Sequence, residues 1–396
     1  MKCGYKCCCK RSCTGGIVKQ HAGATLKFPF PDSPRRNSRH SMLKPEQIKP
    51  GGFLTTIHDQ KLTELLHQIS RNIEMAQSKD ELIATIGQVK SFGAPLKFSH
   101  SRYKLLALFT GLIALTTGLF SDEFYIKFHY QSTAFTVFFA LCTAALIFFM
   151  WRKSSRVRSL AERLYLRALL FDNQLYELTS ELSLFESQLF NDYCEFRRGN
   201  YSREIKKGYR GNYKGTLHTF DYTVYHFHYV DKRTETETDS KGRTRTRTVY
   251  DHYNRYGIAL EFRFVRRLAI TCKSISGFKG KRYKTSSNHF NRLFKVVAHD
   301  EMVAARFLMP AVVLTCEEAA NEFESLNLEF SSVAGLCMSF EDDNVVYGDP
   351  QFDFNSPDDF MCEVREYNSL PKLRTALEFI HTLMVFSDNN FRKDNE

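Results

Sequence analysis

At 396 residues, 43% hydrophobic and 25% charged, the chain has room for one or two folded domains and is too apolar to be disordered throughout. The formal net charge of +11 hides an uneven layout: residues 1–50 hold 11 Lys/Arg against 2 Asp/Glu, residues 196–295 hold 24 against 8, and residues 296–396 hold 6 against 20. Eleven cysteines, an odd number without framework spacing, exclude a disulfide-stapled secreted domain and point to a reducing compartment.

Residues 1–52 read as a disordered, basic, cysteine-rich tail and not as a signal peptide. Cys3, Cys7, Cys8, Cys9 and Cys13 stand among Lys2, Lys6, Lys10 and Arg11, the pattern of an acylation site beside a basic patch. Their spacing also admits zinc, though no histidine stands at finger spacing. A third reading starts the protein at Met42, because residues 1–41 have no periodicity. The other six cysteines fall singly, mostly in apolar runs, and are expected as buried thiols.

Residues 53–96 read as a helical segment ahead of the membrane. Leu62, Leu66, Ile69, Ile73 and Ala76 repeat at helical spacing, and Ser78-Lys79-Asp80-Glu81 is a capping box that restarts a helix carrying Leu82, Ile86 and Val89. Pro95 ends it. Two apolar runs follow, residues 103–121 with Lys104 at the edge and residues 134–151 with no charge, each about long enough to cross hydrocarbon. Lys97, Arg102 and Lys104 precede the pair, Arg152, Lys153, Arg156 and Arg158 follow it, and the connecting loop carries Asp122, Glu123 and Lys127. The positive-inside rule then predicts a transmembrane hairpin with both termini cytoplasmic and the aromatic loop Phe124–Tyr130 outside. Neither run holds an acid or base of the kind that marks an ion path, which argues against a transporter.

Residues 152–195 carry an unbroken a/d seam, Val157, Ala161, Leu164, Ala168, Phe171, Leu175, Leu178, Leu182, Phe185 and Leu189, with no Pro or Gly before Gly199. This predicts one stalk helix over residues 157–193, about 55 Å long. Its favoured partner is the pre-membrane segment of the same chain, running antiparallel; a homodimer through the same seam is the competitor.

Residues 196–396 read as a cytoplasmic α+β domain. Thr223–Tyr229 and Ala259–Val265 are β-rich. Between them a turn at Ser240-Lys241-Gly242 sets Asp239 opposite Arg243, Glu237 opposite Arg245 and Glu235 opposite Arg247, a projecting hairpin held by charge pairs, read as a docking arm or a solvated tip. Asp300 caps a short helix through Leu308, and Pro310 opens another to about Phe323. Val333–Phe340 and Val345–Tyr347 suggest a second hairpin, and Pro371 opens a final helix.

The string Phe294-Lys-Val-Val-Ala-His-Asp300-Glu-Met-Val-Ala-Ala305-Arg306-Phe-Leu-Met-Pro310 resembles the bacterial membrane-protein family catalogued as domain of unknown function 3137. The resemblance spans roughly residues 55–390 and implies a transmembrane pair ahead of a soluble α+β domain. It implies no activity and no site residue; the charged hairpin and the cysteine-rich front end depart from the family pattern.

No catalytic residue, cofactor or metal ligand set stands out. His226-x-His228 offers two ligands without a third, although His218 and His252 are candidates. Gly208, Gly211 and Gly215, like Gly277 and Gly280, read as turns because neither set fits a phosphate loop. The acidic run Glu341–Asp359 reads as a solvated loop. The expected role is a membrane-anchored, non-enzymatic binding or scaffold protein. Arg210, Lys214, Arg266, Arg267, Lys279, Lys281, Arg282 and Lys284 are the candidates for facing anionic lipid headgroups, in preference to nucleic acid. An effector inserted by a bacterium into host membranes and an enzyme with a membrane-proximal site are the alternatives.

Overall fold

The computed structural model describes residues 56–93, 96–119, 132–238 and 244–391. The cysteine cluster Cys3–Cys13, the loop predicted to lie outside the membrane and the turn Ser240–Gly242 fall outside them. The described residues belong to one unit, 51–396.

Helix α1 (Ile57–Met75) starts where the Thr56 hydroxyl accepts from Asp59 N at 3.1 Å, and α2 (Lys79–Ser91) where Ser78 accepts from Glu81 N at 3.4 Å. Helix α3 (Ser101–Leu119) and the 41-residue α4 (Ser132–Asp172) follow. The expected seam forms within one chain: Leu62, Leu66, Ile69, Ile73, Leu82, Ile86 and Val89 bury against Val157, Ala161, Leu164 and Ala168, with Phe360 and Val364 of α9 (Pro357–Arg365) closing the cluster. Its direction differs from expectation. Asp59 bonds Ser99 N at 2.8 Å, Glu74 pairs with Arg163 at 2.9 Å, and Lys79 pairs with Asp172 at 2.7 Å. Helix α1 therefore runs parallel to α4, and only α2, after the turn at Ala76–Ser78, returns antiparallel.

The predicted stalk is cut short. Gln174 takes the left-handed conformation (φ 54°), Leu175 N donates to Leu170 O at 2.8 Å and Gln174 N to Phe171 O at 3.2 Å, a Schellman ending built without glycine. Asn173 seals it by donating to Leu169 O and Asn368 O, both at 2.8 Å. The chain turns into β1 (Tyr176–Glu177) and α5 (Leu182–Asp192), so the helix reaches only about 30 Å beyond Arg152. Leu175, Leu189 and Tyr193 join the cores on the two faces of the sheet, and the folded domain begins well before residue 196.

That sheet is antiparallel throughout, in the order β1-β2-β3-β4-β9-β8-β5-β7-β6, and the mixed α+β class holds. Its long strands are β2 (Ser202–Lys214), β3 (Thr219–Thr238) and β4 (Thr244–Glu261); β5 (Leu268–Thr271), β6 (Lys281–Tyr283), β7 (Lys295–Ala298), β8 (Asn327–Phe330) and β9 (Gly335–Phe340) are short. Helices α6 (Asn288–Leu293), α7 (Glu301–Phe307), α8 (Pro310–Glu322) and α10 (Pro371–Phe391) contribute to the core on one face, and α5 covers the other. Asp300 caps α7, accepting from Met302 N at 2.9 Å, as its position predicts.

Two local expectations fail. Gly208 and Gly211 are not turns but lie inside β2, because a Cβ on Gly208 would meet Leu178 and Leu182 at 3.2 Å, and one on Gly211 would meet Tyr222 at 2.6 Å. Val345–Tyr347 forms no strand; β9 pairs instead with β8 and β4, and Val345 is a core residue.

The centre of the sheet is closed by buried charge. Arg255 on β4 has no exposed surface; its Nε donates to Glu195 Oε1 at 2.9 Å, Nη2 to Ser339 Oγ at 2.9 Å and to Ser325 O at 3.1 Å, and Nη1 to Glu341 at 3.3 Å. Glu195 also accepts from Arg198 at 2.8 and 2.9 Å and from Asn327 at 3.1 Å. Burial alone would raise the Glu195 carboxyl, yet Arg255 and Arg198 hold it below the usual range. Glu329, beside it, is pushed up by burial to about 7 although Cys194 N and Glu195 N donate to it.

Removing Arg255 leaves Glu195 buried without its main countercharge. Arg255→Ala is expected to lose about 3–5 kcal/mol in denaturant unfolding of the detergent-solubilised chain. The Glu195→Gln/Arg255→Met pair, which removes both fully buried charges and leaves only Arg198 at the cluster's edge without its carboxylate, should lose clearly less. A loss under about 1 kcal/mol for Arg255→Ala would show that the cluster does not hold the sheet.

Candidate functional site

Among the described residues one helix is long and apolar enough to cross a membrane: α4 from Ala134 onward, whose apolar stretch is unburied. Helix α3 packs along it. Thr110 Oγ1 lies 2.8 Å from Thr143 Oγ1, and Thr136 donates to Thr117 at 3.0 Å, so the two helices run antiparallel. Their seam is built of small residues: Gly111 faces Thr143 and Gly118 faces Thr136. Thr110, Thr117 and Thr143 also reach back to carbonyls of their own helices. The large side chains point the other way. Leu105, Leu108 and Leu119 are 70–74% exposed, and Leu112, Leu115, Phe138, Leu141, Phe148 and Trp151 are open too. Water penalises such a surface, about 25 cal/mol per Å², and hydrocarbon does not. Where this surface ends, Lys153 lies over the rings of Phe98 and Tyr103, both at 5.2 Å, and His100 meets Ser154 at 2.9 Å.

The eight basic candidates do not form one face. Arg266 and Arg267 precede β5, and Lys279, Lys281, Arg282 and Lys284 lie on or beside β6. Leu268 and Lys281 both register with Ala298 of β7, so these six gather at one end of the sheet. Arg210 sits on β2, seven positions from β6 in the strand order or roughly 34 Å across the sheet, and is paired with Glu181 at 3.0 Å. Lys214 lines a hollow beside α10 with Tyr213 and Arg374. The basic and acidic halves interleave in the same sheet and meet in specific pairs, Arg255 and Lys273 both reaching Glu341.

A cleft of about 450 Å³, within the range of small-ligand sites, opens between α1, α4 and the β1–β2 edge. Glu74, Arg163, Arg167, Glu177, Lys207 and Tyr209 line it. Arg163 is held by Glu74, Arg167 donates to Ala76 O at 3.2 Å, and burial raises the Tyr209 hydroxyl. The lining carries both signs of charge and suits a small polar molecule.

The histidines form a ladder. His226 Nε2 and His228 Nδ1 both lie 2.9 Å from Asn254 Oδ1, and His252 Nδ1 lies 3.3 Å from His228 Nε2. One proton per ring satisfies the chain: His252 to His228, and His226 and His228 to the Asn254 carbonyl. Burial holds His226 below the usual histidine range. Among the described residues no three His, Cys, Asp or Glu side chains converge as a metal site. The thiols of Cys194, Cys272, Cys316 and Cys337 are raised by burial, Cys272 to about 11, the reverse of an activated nucleophile. Of the six cysteines expected to be buried, Cys316 and Cys337 are.

Comparison with protein-family models, with curated proteins and with solved structures finds no match for this chain, and the family resemblance therefore rests on the Phe294–Pro310 string alone.

The threonine seam is open to a direct check. A Thr110→Cys/Thr143→Cys chain with Cys142 changed to serine should form an intrachain disulfide, recovered as one crosslinked peptide pair by mass spectrometry. Adding Gly111→Leu and Gly118→Leu should push the helices apart and lower the yield at least fivefold. Equal yields would mean that the small residues do not set the packing.

Proposed function

We propose that the chain is a membrane-anchored, non-enzymatic binding or scaffold protein. In this reading α3 and α4 cross the bilayer as a hairpin, and both ends of the chain lie in the cytoplasm. The observation that carries the reading is the inside-out helix pair: small and hydroxyl residues meet in the seam while leucines and phenylalanines face outward, an arrangement suited to lipid. In support, Lys97, Arg102, Lys104, Arg152, Lys153, Arg156 and Arg158 stand at one end of the pair. These side chains are the natural contacts for anionic headgroups, each worth about 1 kcal/mol at a charged leaflet. The six cations near β6 belong to a body attached at the far end of a helix about 30 Å long, beyond the reach of a screened surface potential unless that body leans back. The lipid contact is therefore assigned to the collar, and the β6 cluster is left to a partner of the anchored domain.

Trp151 is the sole tryptophan and sits at the collar, which makes it a built-in depth probe. In reconstituted vesicles its emission should be strongly quenched by lipids brominated high on the acyl chain and less by bromines near the chain end. No quenching by either would sink the anchor.

Topology is checked separately. On intact cells, with the other cysteines replaced, Tyr125→Cys should react with an impermeant thiol reagent, and Thr236→Cys only after permeabilisation. Labelling of both, or of neither, would break the hairpin reading while leaving the tryptophan result standing.

A further inference from the structure

The cleft between α1, α4 and the β1–β2 edge holds about 450 Å³, and its walls differ in kind. Arg163, Leu166, Arg167 and Leu170 line it from one face of α4, at i, i+3, i+4 and i+7, and Ile73 of α1 adds to the apolar part. The strands supply the other wall. The register sets Glu177 across from Tyr209, and Leu178 N donates to Gly208 O at 2.8 Å, so Thr179 falls beside Lys207.

One charge pair of this lining is complete, Arg163 with Glu74 at 2.9 Å. Arg167, Lys207 and Glu177 are different: among the described residues none of the three takes part in an ion pair. The Arg167 guanidinium is fixed in place by Nη2 on Ala76 O at 3.2 Å and by the Phe171 ring 5.1 Å from it, while its Nε is buried with no acceptor. A partly buried cation held in this way is short of a countercharge. Glu177 and Lys207 are diagonal neighbours across the β1–β2 pair, about 7–8 Å apart along the backbones, and still do not meet. Two cations and one carboxylate thus line one hollow beside an apolar wall, each without its counterion.

We infer that the cleft is a binding site for a small zwitterion with an apolar body, an amino acid or dipeptide of the leucine or phenylalanine kind. Its carboxylate lies between Arg167 and Lys207, its ammonium on Glu177, and its side chain against Ile73, Leu166 and Leu170. A plain anion leaves Glu177 facing like charge, and a plain cation does the same to the two basic residues; a zwitterion suits all three. A few placed polar groups with an apolar wall are the usual make-up of a small-molecule site. The inference goes beyond the anchored reading. The cleft lies roughly 17–22 Å past Arg152 along α4, out of reach of a lipid headgroup, and takes its ligand from water whether or not that helix spans a bilayer.

The test is calorimetric titration of the full-length chain in lipid nanodiscs, with empty nanodiscs subtracted. The probes are L-leucine, L-phenylalanine and L-leucyl-L-leucine, each beside its deaminated and its decarboxylated analogue, and inorganic phosphate. At least one of the three zwitterions should bind with a Kd of about 1 mM or tighter, and both of its analogues should bind at least tenfold more weakly. Lys207→Met and Glu177→Gln, both at exposed strand positions, should each weaken the zwitterion at least tenfold. Glu177→Gln should leave the deaminated analogue binding as it does to the unaltered chain, a result that a misfolded variant would not give. No heat with any of the three zwitterions would overturn the proposal. So would a deaminated analogue or phosphate that binds as tightly as the zwitterion, or unchanged affinity in both variants.

Discussion

A helix that crosses hydrocarbon must satisfy its backbone hydrogen bonds within itself, and the proposed anchor helix α4 is continuous from Ser132 to Asp172. Its two halves present opposite faces to their neighbours. Its first half has large apolar residues outside and threonines inside. Its second half reverses the pattern, with Val157, Ala161, Leu164 and Ala168 buried under α1 and α2. Helix α1 lies parallel to α4, its start fixed where the Asp59 carboxylate takes Ser99 N and its end a few turns further along α4 by Arg163 and Arg167. The α1–α2 hairpin is thus a brace, and Lys79 closes it onto Asp172 at the point where α4 stops.

What was legible in the sequence was what local spacing controls. The seam, the caps at Ser78 and Asp300 and the apolar length of α4 follow from helical periodicity and short polar side chains. The arm register follows from one turn placed at the right residue, and Glu235↔Arg247 and Glu237↔Arg245 are paired as expected. The same register, carried down the hairpin, sets His228 across from Asn254 and Val230 across from His252. The histidine ladder is therefore implicit in the register of the hairpin.

The misreadings have a common cause in tertiary contact. Leu175 and Leu178 are in phase with the heptad, but their partners are the bare backbones of Gly211 and Gly208, so apolar spacing alone could not tell a continuing helix from a crossing over a strand. The helix ends at Gln174, a residue with no special liking for the left-handed region, because Asn173 and Asp172 are bound from outside by Asn368 and Lys79. Likewise β2, rich in Lys and Gly, reads as a loop until Leu178, Leu182 and Tyr222 are laid over its glycines. Charge sums by segment misled in another way. Strands of the basic and acidic halves share one sheet, and the charges that matter most, Arg255 and Glu195, the latter just ahead of the basic half, are buried and cancel each other.

The buried cluster and the arm are connected through the same strand. Arg255 is the last residue of β4 before pairing with β9 begins, and its four acceptors come from the turn at Glu195, from Ser325, from Ser339 and from Glu341. A cation held from four directions cannot slide, since any shift in register would strand it or Glu195 at a cost of several kcal/mol. The strand is thereby pinned at the base of the arm. Beyond His252, where the β2 pairing of β3 ends, cross-strand pairs worth a few tenths of a kcal/mol each and the Asn200 clasp on Lys232 hold the ribbon up to Thr244. A fixed base and a weakly held outer half produce an element whose direction is set by the fold while its edges stay exchangeable.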